Sequence, residues 1–277
     1  MSAVRDEHPQ RGGPIRGLGD KALDVLEHVG SLWHLLMQAI GWILNRVRDS
    51  RTRLGRPAIA YQIVRVGVQS ILIVALVSGA IGFILAFQMA PPLDRLGQVE
   101  LVPNIIAVAI LRELGPLIAA IVLVGFAGAS IAAEIGTMVV GEEVEALEAH
   151  ALNPVRFLVV PRVIATVTSM LCLAVLSNMC AILAAALMCK IQLGISWVTY
   201  YNNTLAQVGP MDFLTGVAKA AVFGLLIGLI ACGNGLKVSG GAAGVGKATT
   251  STVVESVVAV IFADLIFTMV FYFLKLT

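Results

Sequence analysis

The sequence predicts an all-α integral membrane protein, and three observations carry that reading. Of 277 residues, 58% are apolar and only 13% charged, whereas an ordinary soluble domain carries about 25% charged residues. The mean hydropathy is +0.91. The apolar residues gather into five segments, approximately 66–89, 104–139, 160–189, 212–236 and 252–275, each long enough for the roughly 20 residues that cross a bilayer core as a helix. The alternating ten-residue segments of a transmembrane β-barrel are absent.

Taken in order, residues 1–19 mix Asp6, Glu7 and several Arg with Pro and Gly and hold no apolar run, so they read as a disordered polar leader without a cleaved signal. Residues 20–57 read as an interfacial amphipathic helix followed by a basic linker. Leu23, Leu26, Val29, Trp33, Leu36, Ile40, Ile43 and Val47 recur at helical spacing, and polar residues occupy the opposite side. Trp33, Trp42 and the basic end suit a membrane interface, the alternative being a helix packed on the protein's own cytoplasmic side. Residues 58–277 then form one membrane domain. Ten of the nineteen Lys and Arg residues precede the first span, so the positive-inside rule puts the amino terminus in the cytoplasm and, after five spans, the carboxyl terminus outside.

The second span is the unusual one. Its 36 residues would reach roughly 54 Å at 1.5 Å each, against a bilayer core of about 30 Å. Inside it, Arg112 and Glu113 stand side by side, three residues before Pro116. Each such charge costs roughly 2.5–3.5 kcal/mol at mid-bilayer on insertion scales, while a Leu, Ile or Val returns only about 0.3–0.6 kcal/mol. The span must tilt steeply, break or protrude, and Pro116 offers the break, because it lacks an N–H and its ring clashes with the carbonyl of Arg112. A freed carbonyl at that depth belongs in protein or beside a wet cavity. Arg112, Glu113 and Pro116 are therefore candidates for a cavity wall, with Phe83, Ile84 and Phe87 of the first span facing apolar chains. Of the other charges inside spans, Lys219 is expected to snorkel from a span end and Asp264 to bond a neighbouring helix.

Between the second and third spans, residues 142–152 carry Glu142, Glu143, Glu145 and Glu148 interleaved with Val144, Leu147 and Leu152. Asn153 and Pro154 end the pattern, because a residue before proline avoids the helical region. The segment reads as a short amphipathic acidic helix on the cytoplasmic side, either a solvated connector or a knob for a partner protein. Small residues recur at every fourth position, as in Ser78, Gly82 and Ala86 or Gly216, Ala220, Gly224 and Gly228, and let helix backbones approach closely.

Several chemistries are disfavoured. Residues 241–247 approach a phosphate-binding loop, but Ala248 stands where Ser or Thr is needed and no strand precedes; they read as a flexible loop before the last span. All four histidines lie outside the spans, which removes a Ser–His pair at membrane depth, and a lone His near acidic residues is too few ligands for a metal. The four cysteines lack a Cys-x-x-Cys spacing and read as buried apolar residues. The expectation is a non-catalytic chain with no cofactor or metal and no nucleic-acid partner.

The motifs at 111–116, 132–136 (Ala132, Ala133, Glu134), 142–147 followed by 153–156 and 160–162, and 244–250 occur in an order that resembles the MlaE/YrbE permeases, the membrane subunits of MCE-type ABC lipid transporters. The likeness covers roughly residues 60–275. It implies a homodimer in the bacterial inner membrane, a cytoplasmic ABC ATPase that holds ATP and magnesium, a periplasmic MCE-domain ring protein, and phospholipid moved between inner and outer membrane. On that likeness Arg112 and Glu113 line a lipid cavity between the two permeases, and the acidic helix is the segment that couples to the ATPase. One departure is Phe126, where many relatives carry Arg. Two other classes fit the residues less well. An ion-coupled secondary transporter using Arg112, Glu113 and Asp264 should show two matched broken spans, and only one is visible. A membrane scaffold recruiting partners through residues 142–152 would need no lipid-sized cavity.

Overall fold

The computed structural model describes residues 14–48 and 56–274, and among these it contains only helices and the turns between them. Helix α1 runs Pro14–Arg48 and so begins inside the expected leader, whose residues 1–13 lie outside the described part, as do residues 49–55 of the basic linker. α2 (Arg56–Val66) and α3 (Ile71–Arg95) join through a single 3-10 turn into the first span. The second span comprises α4 (Val102–Ala109), α5 (Gly115–Leu123) and α6 (Ala129–Val140). α7 (Glu143–Ala149) leads to α8 (Val160–Leu193), then to α9 (Trp197–Gln207), α10 (Pro210–Leu236) and α11 (Gly241–Phe273). Among the described residues, five continuous helical stretches are long and apolar enough to cross a membrane: Pro57–Arg95, Val99–Val140, Val155–Leu193, Pro210–Leu236 and Gly241–Phe273.

The expected break at Pro116 is replaced by a widening. Residues Ile110–Leu114 form a π turn in which the N–H of Gly115 donates to the carbonyl of Ile110. The wider turn admits the proline ring, which then sits at the start of α5, where a missing N–H is tolerated. A second π turn, Val124–Gly128, contains Phe126. The span stays helical over 42 residues, roughly 60 Å at 1.5 Å each, so it does not break.

The tightest backbone approaches between spans fall at two glycines. α3 lies along α8 at Gly82, where an added Cβ would stand 2.1 Å from the carbonyl oxygen of Ala181. Beside it the hydroxyls of Ser78 and Ser177 bond at 2.8 Å, and Ser177 Oγ donates to the carbonyl of Gly115 on α5 at 2.9 Å. α10 meets the first π turn at Gly216, whose Cβ would fall 2.1 Å from the carbonyl oxygen of Leu111. The central core of Leu123, Ile131, Met170, Phe223 and Ile227 fills the space between α5, α6, α8 and α10. α11 is the least embedded span: 11% of its most apolar window is buried, against 56% for the second and fourth spans.

Two sequence expectations are corrected by these elements. Residues 241–247, expected to be a flexible loop, are the first turns of α11. The stretch between the third and fourth spans, given no element from the sequence, holds α9, started by Ser196, whose Oγ accepts from the N–H of Thr199 at 3.1 Å. α9 closes over α4: Asn203 Nδ2 donates to the carbonyl of Glu100 at 3.0 Å. Tyr200 is the buried residue of α9, and burial pushes its phenol above the ordinary tyrosine range.

Candidate functional site: an ion-paired ladder beside an amphipathic cavity

The charges of the second span are answered by charges on α10 and α11. Asp212 is the third residue of α10 and accepts the N–H of Gly209 through Oδ2 at 2.8 Å, which fixes its carboxylate at the helix start. Its other oxygen, Oδ1, accepts from Arg112 Nε. Two helical turns further on, Lys219 donates to Glu113 Oε2, to Asp264 Oδ1 at 2.9 Å and to Thr268 Oγ1 at 3.0 Å. Thr268, one turn beyond Asp264 on α11, can also donate to Glu113 Oε1 at 3.1 Å. Lys219 is 1% exposed and Asp212 3% exposed. Every donor of the Lys219 ammonium is used, as a buried charge requires. Lys219 therefore does not snorkel, and the structural partner expected for Asp264 is this lysine.

Arg112 and Glu113 are partly open, with side chains 27% and 35% exposed. Both line a cavity of about 620 Å³. Leu101, Ile105, Val108 and Ala109 give it apolar lining, and Asn104, Gln207, Thr268 and Tyr272 add polar groups. The π turn places two consecutive charged side chains on this one cavity, which is a common use of π turns. Pro116 is buried against α10, with its Cγ 3.4 Å from where a Cβ on Gly216 would stand, and does not line the cavity. Phe83, Ile84 and Phe87 lie exposed on α3 and do not border it either.

At the opposite end of the bundle Glu134 of α6 bridges two arginines, Arg65 of α2 at 2.7 Å and Arg162 of α8 at 3.0 Å. Arg162 also donates to the carbonyl of Leu158 at 2.8 Å, and Arg65 to Ser130 Oγ at 3.3 Å. Glu134 thus ties three spans just behind α7. α7 itself is short and stands proud. Glu142, Glu143, Glu145, Glu148 and Leu152 are exposed, whereas Val144 and Leu147 are half-buried. Its frame is set by two left-handed non-glycine residues, Glu142 (φ 59) and Ala151 (φ 56), a conformation that costs of order 1–3 kcal/mol and persists only where surrounding structure holds it. α1 is tied to the same end of the bundle: His28 Nε2 lies 3.2 Å from Glu255 on α11, and Lys237 donates to Ser31 Oγ at 2.5 Å. Among the described residues no group of three His, Cys, Asp or Glu is placed to hold a metal.

Fold and site together define a multi-pass all-α membrane protein with an amphipathic cavity at one end and an acidic helix at the other. The chain belongs to the MlaE family of ABC transporter permeases: the family described as Permease MlaE matches residues 59–270. It is 32% identical over 255 residues to a probable ABC transporter permease protein of Rickettsia bellii, covering 90% of this chain and 98% of that protein. A probable ABC transporter permease protein of Synechocystis is 30% identical over 239 residues, 86% of this chain and 91% of its own length. The Arabidopsis thaliana chloroplastic protein TRIGALACTOSYLDIACYLGLYCEROL 1 is 35% identical over 214 residues, 76% of this chain and 60% of that protein.

Proposed function

We propose that this permease is the non-catalytic membrane subunit of a lipid transporter, binding a phospholipid and moving it between inner and outer membrane with energy from a separate ATPase. The observation that carries the reading is the amphipathic cavity. Leu101, Ile105, Val108 and Ala109 suit acyl methylenes, and Arg112 and Glu113 suit a polar headgroup. Its volume of about 620 Å³ lies within the roughly 300–1,000 Å³ of small-molecule sites and accommodates a headgroup with the first part of its chains. The exposed row Phe83, Ile84 and Phe87 is free to line the rest of a larger cavity once a second copy of the chain is present. The name of the Arabidopsis relative contains a diacylglycerol lipid, which is in keeping with a lipid cargo.

On this reading the amino terminus is cytoplasmic and the carboxyl terminus periplasmic, following the distribution of Lys and Arg. α7 docks on the ATPase, where ATP and magnesium are held, and the cavity end leads toward a periplasmic MCE-domain ring. The test is lipid analysis of the purified complex with transport measured in parallel. Arg112→Ala and Glu113→Ala are expected to lower both lipid occupancy and transport by about tenfold or more, since each removes a charge-assisted contact of about 1.5–3 kcal/mol. Normal occupancy and transport in both variants would remove the cavity from the mechanism.

A further inference from the structure

The ladder is not charge-neutral, and its surplus faces the cavity. Arg112 and Lys219 supply two positive charges; Glu113, Asp212 and Asp264 supply three negative ones. The closed part of the network is satisfied internally. Asp212 uses Oδ1 for Arg112 and Oδ2 for the N–H of Gly209, and Lys219 spends its three donors on Glu113, Asp264 and Thr268. The open part consists of two groups. Arg112 bonds Asp212 through Nε, so its terminal Nη1 and Nη2 have no protein partner among the described residues. Glu113 is more than a third exposed, and its Oε1 meets only the Thr268 hydroxyl. These two groups are neighbours in one π turn and share one cavity wall.

We propose that this juxtaposition selects a zwitterionic headgroup, a phosphate with a tethered ammonium, over a purely anionic one. The phosphate oxygens fit the two free guanidinium nitrogens, which present a planar fork to such an anion. The ammonium fits the open oxygen of Glu113. An anionic lipid makes the first contact and leaves Glu113 unanswered, adding its own negative charge to a site already in surplus by one. In a cavity walled by Leu101, Ile105 and Val108 that repulsion is screened far less than in water. The proposal rests on the lipid-binding reading above and adds the headgroup class to it.

The experiment uses the purified full chain in nanodiscs containing equal amounts of phosphatidylethanolamine and phosphatidylglycerol with matched acyl chains. Lipid retained after extraction into detergent and washing is counted by native mass spectrometry. The expected result is a preference for phosphatidylethanolamine on the order of tenfold, equivalent to about 1.4 kcal/mol. Glu113→Gln keeps an amide oxygen for Lys219 and Thr268 while removing the charge, and is expected to bring the two lipids to near parity by lowering retention of phosphatidylethanolamine toward that of phosphatidylglycerol. Arg112→Gln is expected to lose both. Equal retention by the unmodified chain would overturn the headgroup preference and leave the lipid-binding reading intact. Retention of neither lipid would overturn the lipid-binding reading itself. A preference that survives Glu113→Gln would place the discrimination elsewhere and refute the role given to this carboxylate.

Discussion

Lys219 carries the ladder at the scale of a single residue. A fully buried ammonium survives in an apolar span only because two carboxylates and a hydroxyl surround it, and the cost of removing it falls on the groups left behind. Deleting one member of a buried ion pair typically costs about 3–5 kcal/mol, because the remaining charge is uncompensated. Here Glu113 opens to the cavity, so Lys219→Met is expected near the lower end, about 3 kcal/mol, seen as a lower midpoint in thermal unfolding of the detergent-solubilised chain. Adding Glu113→Gln and Asp264→Asn to Lys219→Met removes the stranded charges and should restore most of the loss. No recovery in the triple variant would mean that Lys219 stabilises by packing, not by pairing. Arg112 and Glu113 stood out in the sequence because two charges interrupt an apolar run. Their partners did not, since 100 and 106 residues separate each pair and nothing local links them. A signal was present in the helical period: Asp212 and Lys219 are seven residues apart and Asp264 and Thr268 four, spacings that put each pair on one helix face.

At the scale of elements, the spans follow from hydropathy, while their joints depend on geometry that composition does not carry. Pro116 predicts a disruption, yet whether the chain breaks or widens into a π turn is decided by what packs on it. Gly216 brings α10 against the carbonyl of Leu111 at that turn and leaves no room for a separated helix end. α9 escaped notice because its Tyr, Asn and Thr residues give neither a strong apolar stripe nor a charge pattern; its only local sign is Ser196 as a helix cap. The small-residue stripes, in contrast, are legible, and the structure separates a stripe glycine from one outside the stripe. Gly82 faces the backbone of Ala181 at 2.1 Å from a built Cβ, whereas Gly79 on the neighbouring turn meets nothing closer than 3.9 Å. Gly82→Ala must therefore push α3 off α8 and is expected to cost at least the 1–3 kcal/mol or so of an overpacked core. Gly79→Ala should be neutral or stabilising by up to about 1 kcal/mol through reduced freedom of the unfolded chain. Thermal melts of the two variants side by side provide the check, and equal midpoints would remove Gly82 from the α3–α8 contact.

Over the whole molecule, the two ends have different characters and one continuous helix, the second span, connects them. At one end Arg112 and Glu113 sit on a π turn, the kind of irregularity that can shift register without unfolding a helix. At the other, Glu134 draws Arg65 and Arg162 together and so ties three spans at the end of the bundle that carries α7. The half-buried Val144 and Leu147 of α7 lie inward, while Glu142, Glu143, Glu145 and Glu148 are exposed, an arrangement in keeping with the proposed docking of α7 on the ATPase. A docking surface of this kind steers a basic partner through charge, and its contacts weaken with salt. The triple reversal Glu143→Lys, Glu145→Lys and Glu148→Lys is therefore expected to abolish co-purification of the proposed ATPase while leaving the thermal midpoint within a degree or two, since exposed substitutions away from caps and cores change stability by only about 0.5 kcal/mol each. Leu147→Ala should do the reverse, lowering the midpoint first and weakening assembly only as a consequence. If the triple reversal assembles normally at physiological salt, the acidic face is a solvated connector, and coupling must pass through another surface at this end of the bundle, of which α1, held to α10 and α11 by Ser31 and His28, is the nearest.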